Sequence, residues 1–237
     1  MALNLMSPSA SFVISDLSLW SGIHRLRSVC HGLILLDIEP ISSFGEHLLT
    51  PRETAIAMRM GPRRRRDFTA ARVALKRLAR QLDLVKKSRP DRKIETLGPD
   101  SVRPCLAESE IHCSVSHSGG LVVAVAHRHP IGVDLELASE KATRIWSRFQ
   151  TPRETEIVLQ SGLSPARIAA RAWTIKEAAA KALGLDLFQA IREVEVVWVG
   201  EEEGTMKYQG KSYPVRHAEG NGYVMTLITC DDQGRDG

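Results

Sequence analysis

The sequence predicts an α+β fold of two pseudosymmetric lobes, each a small, mainly antiparallel sheet packed on a long helix, with the active site between the lobes. Three observations lead there. Short aliphatic runs of strand length recur: HGLILLDI from His31 to Ile38, then IHCSVSHS, LVVAVAHR and IGVDLEL between Ile111 and Leu137. Two longer stretches, around Leu75 and around Ala178, carry helical periodicity instead. Finally, the tetrapeptide Pro-Arg-Glu-Thr at Pro51 returns intact at Pro152, each copy preceded by threonine, which marks an internal repeat of about one hundred residues.

Taken in chain order, residues 1–30 lack clear periodicity and read as an irregular N-terminal arm. His31 to Ile38 reads as a buried strand, a short aliphatic run ending at a polar pair and a proline. Thr50 followed by Pro51 is a helix start, because threonine can cap and proline suits the first helical position. In RRDFTAARVALKRLARQL, Phe68, Ala71, Leu75, Leu78 and Leu82 fall on one helical face. Pro90 to Pro104 is polar and breaker-rich and reads as a loop; the three strand-like runs that follow are separated by Gly119-Gly120 and His129-Pro130 turns. Thr151 and Pro152 open another helix. An alanine-rich helix should run from Pro165 to Leu183, with Gly184 at its C-cap. Val194 to Cys230 alternates apolar and polar residues around glycines, as strands of a small antiparallel sheet do, and residues 231–237 read as a frayed tail. The expected lobes are residues 31–118 and 119–230.

The repeat extends beyond the shared tetrapeptide. LLDIEP near Leu35 resembles GVDLEL near Gly132, and FTAARVALKRLA resembles WTIKEAAAKALG, aligning Thr69 with Thr174, Arg72 with Glu177 and Lys76 with Lys181. Three matches in one order imply a duplication, a ligand held in the cleft between the copies, and a pseudodimeric monomer, since one chain supplies both walls.

Composition narrows the class. A chain of 237 residues with 43% hydrophobic content can bury a real core, and its four cysteines form no CxxC pair, as expected of a reducing, cytoplasmic compartment. The N-terminus lacks the charged start and apolar run of a signal peptide, and no uncharged apolar stretch reaches the roughly 18 residues a membrane span requires. A formal charge of +4 favours an anionic partner. Nucleic acid is the weaker choice: aromatic residues make up 5% of the chain and do not interleave with the run Arg63 to Arg66, so a stacking platform is missing.

Several residues could carry chemistry. Asp134 and Glu136 stand two apart on a predicted strand, so their carboxylates share a face, either as a solvated strand end or as a seat for a hard cation such as Mg²⁺ against a phosphate. Glu177 and Lys181 stand four apart on a predicted helix, a pairing that by itself only supports the helix. The repeat sets them opposite the basic Arg72 and Lys76, an asymmetry that suits a polyphosphate with metal on one side and cations on the other. His117 lies between serines before a strand, and Arg103 precedes Pro104 after a polar loop; each alone is ordinary surface chemistry.

Ser116-His117-Ser118, then Ile131-Gly-Val-Asp-Leu-Glu136, then Trp173-Thr-Ile-Lys-Glu-Ala-Ala-Ala-Lys181 resemble in order and spacing the signatures of the Sfp-type 4′-phosphopantetheinyl transferases, related to the holo-acyl carrier protein synthases. The resemblance spans about Leu33 to Leu187. It implies transfer of 4′-phosphopantetheine from coenzyme A to a serine of an apo acyl or peptidyl carrier protein, with no nucleic acid or membrane partner. It implies that Asp134, Glu136 and Glu177 hold Mg²⁺, with Mn²⁺ as a substitute, against the coenzyme A pyrophosphate. Lys181 would contact the α-phosphate side and assist departure of 3′,5′-ADP. Ser116 and His117 would contact coenzyme A, and Arg72 and Arg103 would bind its phosphates. Where the family often has Gly-Lys/Arg-Pro, this chain has Val102-Arg103-Pro104. A non-catalytic coenzyme A-binding or carrier-binding relative is the alternative; the presence of all three carboxylates and Lys181 argues against it.

Overall fold

Thr50 and Pro51 start a helix as their chemistry requires. Thr50 Oγ1 accepts the Glu53 N–H at 3.2 Å while the Glu53 carboxylate accepts the Thr50 N–H at 2.8 Å, a closed capping box. One repeat later Thr151 and Glu154 reproduce both bonds at the same distances. In this computed structural model, residues 17–99, 103–106, 109–160 and 162–230 are described. Residues 1–16 of the expected arm, Val102 and the expected tail from 231 onward lie outside them.

The elements run α1 (Ile23–Val29), β1 (Gly32–Asp37), α2 (Ile38–Ser42), α3 (Pro51–Ala57), α4 (Pro62–Gln81), β2 (His112–Ser118), β3 (Leu121–His127), β4 (Ile131–Leu137), α5 (Glu140–Trp146), α6 (Pro152–Gln160), α7 (Pro165–Leu183), α8 (Leu187–Glu193), β5 (Glu195–Val199), β6 (Glu203–Tyr208), β7 (Lys211–Gly220) and β8 (Tyr223–Thr229). They form two antiparallel sheets, one in the order β1-β3-β2, the other β4-β8-β7-β6-β5. The expected α+β class with antiparallel sheets and long helices holds. Gly184 ends α7 in the left-handed conformation at φ 70°, which glycine adopts without steric cost.

Strand alternation sorts the apolar residues into layers. Leu36 of β1 and Val122, Ala124 and Ala126 of β3 pack under Leu75 and Leu78 of α4. Val196, Met206 and Ile228 of the second sheet pack under Ile175 and Ala179 of α7. The opposite faces meet in one shared core, Leu33, Leu35, Val123 and Val125 against Val133, Leu135, Met225 and Leu227. Each such fully buried aliphatic side chain contributes about 1.5–3 kcal/mol of transfer free energy.

Three expectations need correction. The lead-in read as irregular is, from Leu17, a 3-10 turn and then α1, with Trp20, Ile23 and Leu26 buried in the shared core. Its seven-residue helix is too short to display periodicity, so only burial reveals it. The lobe boundary drawn between residues 118 and 119 splits a hairpin: β3 is the central strand of the first sheet, and the chain crosses to the second only at residues 128–130.

The third correction is the register of the repeat. Lys76 ion-pairs with Glu53 at 2.7 Å and donates to the carbonyls of Asp91 and Ile94; Lys176 ion-pairs with Glu154 at 2.9 Å and donates to those of Ile191 and Val194. The equivalent of Lys76 is therefore Lys176, not Lys181. The glycines agree: a Cβ on Gly32 would meet Leu78 and Leu82 of α4, and a Cβ on Gly132 would meet Ala178 and Ala182 of α7, all one hundred positions on. In this register Ala172 is the counterpart of Arg72, and Arg77 and Gln81 are those of Glu177 and Lys181. Each lobe kept the same buried lock and diverged at the helix faces beside it.

Candidate active site

β2 and β4 are edge strands of different sheets, and they lie against each other along the cleft. An edge strand exposes backbone N–H groups that need partners. Here serines supply them. Ser114 Oγ accepts the Val133 N–H at 3.1 Å and Ser116 Oγ accepts that of Leu135 at 3.4 Å. Because Ser114, Ser116 and Ser118 alternate along β2, all three face β4. Ser116 Oγ also donates to Asp134 Oδ1 at 2.6 Å, and Ser118 Oγ to Glu136 Oε1 at 3.4 Å.

Asp134 is thereby fixed at the floor of the cleft, 2% exposed. The even residues of β4 face α7, and Gly132 lets that helix approach: a Cβ there would fall on the Ala178 carbonyl oxygen, where no side chain fits. The close approach brings Lys181 Nζ to 2.7 Å from Asp134 Oδ1 and 2.9 Å from the Val133 carbonyl. Glu177, one turn earlier, lies 3.9 Å from the same ammonium. Burial, and then the negative charge of Asp134, push the Glu177 carboxyl up to about 7 against the pull of Lys181.

Above this floor lies a cavity of about 490 Å³. Its acidic wall is Asp134, Glu136 and Glu177, with Lys181 beside them; its basic wall is Arg64 and Arg72 of α4, with Ser116 and His117 of β2 between the walls. Arg72 is 3% exposed, sets its guanidinium over the Phe68 ring, and donates through Nη1 to the Thr96 carbonyl at 2.8 Å; its buried Nε makes no hydrogen bond among the described residues. His117 Nδ1 lies 3.9 Å from Asp67 Oδ2. Burial pulls the imidazole below its ordinary range, and the Asp67 carboxylate opposes that pull. An adjoining hollow of about 410 Å³ lies across Val115, Glu177 and Lys181, lined by apolar residues with Arg103 and Pro104 at its edge.

Seven of the eight sequence-derived candidates, Arg72, Ser116, His117, Asp134, Glu136, Glu177 and Lys181, thus line one cavity, while Arg103 sits in the neighbouring hollow. Ser116 braces Asp134 and the β4 backbone from β2. Among the described residues no group of three or more His, Cys, Asp or Glu side chains is gathered tightly enough to hold a metal ion. The chemistry of the donor set nonetheless fits a hard cation. Asp134 Oδ2 is buried without a hydrogen bond among the described residues, and Glu177 is driven toward its neutral form by burial and by the carboxylate beside it. A divalent ion would relieve both.

Sequence reasoning missed Arg64 as a separate residue, Phe68, and the pair Glu53 and Thr96 behind Arg72. Successive residues of a helix point about 100° apart, so four adjacent arginines cannot share one task. Arg65 is turned away to the Ala57 carbonyl, closing α3 onto α4, whereas Arg64 faces the cavity.

The fold and cleft define a two-lobed α+β protein with a basic wall facing an acidic one. Comparison with known proteins names the class. A model of the 4′-phosphopantetheinyl transferase superfamily matches residues 130–228. Enterobactin synthase component D of Escherichia coli O157:H7 is 23% identical over 203 residues, covering 85% of this chain and 94% of that protein, and the Shigella flexneri protein of the same name gives the same figures. The 4′-phosphopantetheinyl transferase gsp of Aneurinibacillus migulanus is 34% identical over 110 residues, 45% of each chain. The match over residues 130–228 and these relatives make the chain an enzyme of phosphopantetheinyl transferase type. No described helix is long and apolar enough to cross a membrane.

Proposed function

We propose that this enzyme transfers 4′-phosphopantetheine from coenzyme A to a serine hydroxyl of an apo acyl or peptidyl carrier protein and releases 3′,5′-ADP in the cytoplasm. The observation that carries the reading is the facing of Glu177 and Lys181 on α7 against Arg64 and Arg72 on α4 across one cavity. A pyrophosphate requires such a pair of walls, with cations for its oxygens and a carboxylate for the proton of the attacking alcohol.

In the reaction the serine Oγ forms a bond to the β-phosphorus, and the bond from that phosphorus to the bridging oxygen of the α-phosphate breaks. Mg²⁺, when held by Asp134, Glu136 and Glu177, would supply charge neutralisation at the pyrophosphate. Lys181, fixed by Asp134 Oδ1 and the Val133 carbonyl, directs its remaining N–H toward the α-phosphate oxygens and stabilises the departing 3′,5′-ADP. Glu177 is the candidate acceptor of the serine proton, because it is the carboxylate carried on the helix, 3.9 Å from the Lys181 ammonium, rather than on the strand. Arg72 and Arg64 bind the phosphates on the opposite wall. An acidic recognition helix on the carrier would meet the net positive charge of the chain and the segment from Thr151 to Leu163.

The test is the intact mass of a purified apo carrier protein after incubation with the enzyme, coenzyme A and Mg²⁺, with an EDTA control. The expected gain is about 340 Da, one transferred phosphopantetheine, abolished by EDTA. Glu177→Gln is expected to lower turnover at least about a hundredfold, the usual contribution of a general base, with an unchanged circular dichroism spectrum. Near-normal turnover in that variant would remove Glu177 from the role of base, and no mass gain with any carrier would overturn the transferase reading itself.

A further inference from the structure

The two lobes hold the same buried lock, and only the first carries a cation one helical turn before the lock lysine. In the second lobe Lys176 and Glu154 neutralise each other, and the residue four positions before Lys176 is Ala172. In the first, the residue four positions before Lys76 is Arg72, so one helical face sets two buried cations beside the fully buried carboxylate of Glu53, with the half-buried Glu95, which also accepts the Thr96 N–H at 3.2 Å, next to it. Glu53 is divided among several donors. Its Oε2 takes Lys76 at 2.7 Å and the Thr50 N–H at 2.8 Å, while its Oε1 takes the Thr96 hydroxyl at 2.6 Å and the Thr96 N–H at 3.2 Å. The Thr96 carbonyl in turn accepts Arg72 Nη1 at 2.8 Å.

We infer that Glu53, Lys76 and Thr96 form a positioning unit that spends the carboxylate on Lys76 and Thr96 and thereby leaves Arg72 facing the cavity as an anion-binding cation. A buried guanidinium draws strongly on any nearby carboxylate. Lys76 and the Thr96 hydroxyl saturate Glu53, and the Thr96 carbonyl restrains the guanidinium beside the cavity. The unmatched Nε follows from that arrangement. The equivalent of Thr96 in the other lobe is Val196, whose N–H donates to Glu154 Oε1 at 3.2 Å without any side-chain hydroxyl, and that lobe has alanine, Ala172, where the first has Arg72; its own buried arginine, Arg171, is held instead by Glu219 at 2.7 Å. The hydroxyl is thus superfluous to the lock and present only where an anion-binding cation stands beside it. This inference rests on the reading of the cleft as a polyphosphate site.

The lobe comparison also supplies the test. Thr96→Val gives the first lobe the side chain that the second already carries, so the fold should persist, and Thr96→Ser keeps the hydroxyl. Inorganic pyrophosphate serves as probe, titrated calorimetrically into the full chain with Mg²⁺ present throughout, alongside coenzyme A turnover on a carrier. Thr96→Val should weaken pyrophosphate binding about tenfold and raise the KM for coenzyme A similarly with kcat nearly unchanged, as expected for one charge-assisted contact. Thr96→Ser should match the parent. Equal affinity of Thr96→Val and parent, or equal weakening by both variants, would overturn the positioning unit. Because pyrophosphate binding needs no turnover, the two readings separate: a Thr96 effect on binding in a protein that transfers nothing upholds the unit and sinks the transferase assignment, whereas full turnover without a Thr96 effect sinks the unit alone.

Discussion

His217 is wholly buried, with its Nδ1 2.9 Å from the Thr226 hydroxyl and Arg171 close enough to oppose a second positive charge. Burial, reinforced by Arg171, pushes its pKa down to about 3, far below the ordinary imidazole range. The folded protein therefore holds this ring neutral, while the unfolded chain protonates it below about pH 6.5. Since the unfolded state then binds the extra proton, stability falls as pH drops from about 6.5 toward 3, by about 1.4 kcal/mol per unit from this group alone. Urea titrations of the parent and of His217→Gln should check it: the difference in unfolding free energy between the two should shrink steadily below pH 6.5. A difference that stays constant from pH 7 to pH 4 would mean that the ring is not held neutral. Single residues of this kind are invisible in sequence, because the same histidine on a polar strand face would titrate normally; only its position inward on β7 decides.

Elements whose boundaries are set by their own side chains could be read directly. Thr50 and Thr151 cap, Pro51 and Pro152 follow, and both helices begin where expected. The pairing of elements could not be read in the same way. Matching FTAARVALKRLA to WTIKEAAAKALG from their aromatic-threonine starts, Thr69 to Thr174, sets Lys76 against Lys181. Burial instead distinguishes Lys176, 1% exposed in its side chain, from Lys181 at 30%. The bracing role of the β2 serines is hidden in the same way: nothing local reveals that two edge strands of different sheets meet, and it is that meeting which turns SVSHS into a ladder of rungs under β4. The close packing of β4 on α7 gives this scale its prediction. In Gly132→Ala the new methyl would stand on the Ala178 carbonyl and beside the Ala182 N–H, both backbone atoms of one helix that cannot swing aside. The helix must shift, at a cost of about 3 kcal/mol or more, since overpacking against backbone exceeds the usual 1–3 kcal/mol range. The shift also carries Lys181 away from Asp134. Chemical denaturation and turnover measured on the same preparation should both fall; parental stability in the Gly132→Ala variant would show that β4 and α7 are not in the described contact.

At the scale of the whole molecule the duplication suggests two separable lobes, and the packing argues otherwise. The sequence repeat and the capping boxes made two similar halves legible, but the boundary between them was misplaced because a hairpin turn and a sheet crossover look alike in sequence, each being a short polar break between aliphatic runs. What the sequence could not convey is that the inner faces of both sheets form a single core, Leu33, Leu35, Val123 and Val125 against Val133, Leu135, Met225 and Leu227, closed by Trp20, Ile23 and Leu26 from the lead-in. Separating the halves would expose all of these side chains and strip the N–H groups of Val133 and Leu135 of their serine partners. Each exposed aliphatic loses about 1.5–3 kcal/mol, so even a few exceed the roughly 5–15 kcal/mol by which a domain is stable. The full chain is therefore expected to unfold in urea as one cooperative transition, with circular dichroism, dominated by α4 and α7, and tryptophan fluorescence, which includes Trp20 in the shared core, tracing the same midpoint. A fragment spanning residues 130–230, although it contains the whole second sheet and α7, should by the same argument fail to hold native secondary structure. Two resolved transitions, or a fragment that folds and melts cooperatively by itself, would mean that the shared core contributes less than the cores under α4 and α7 and that the active-site cleft can open between autonomous halves.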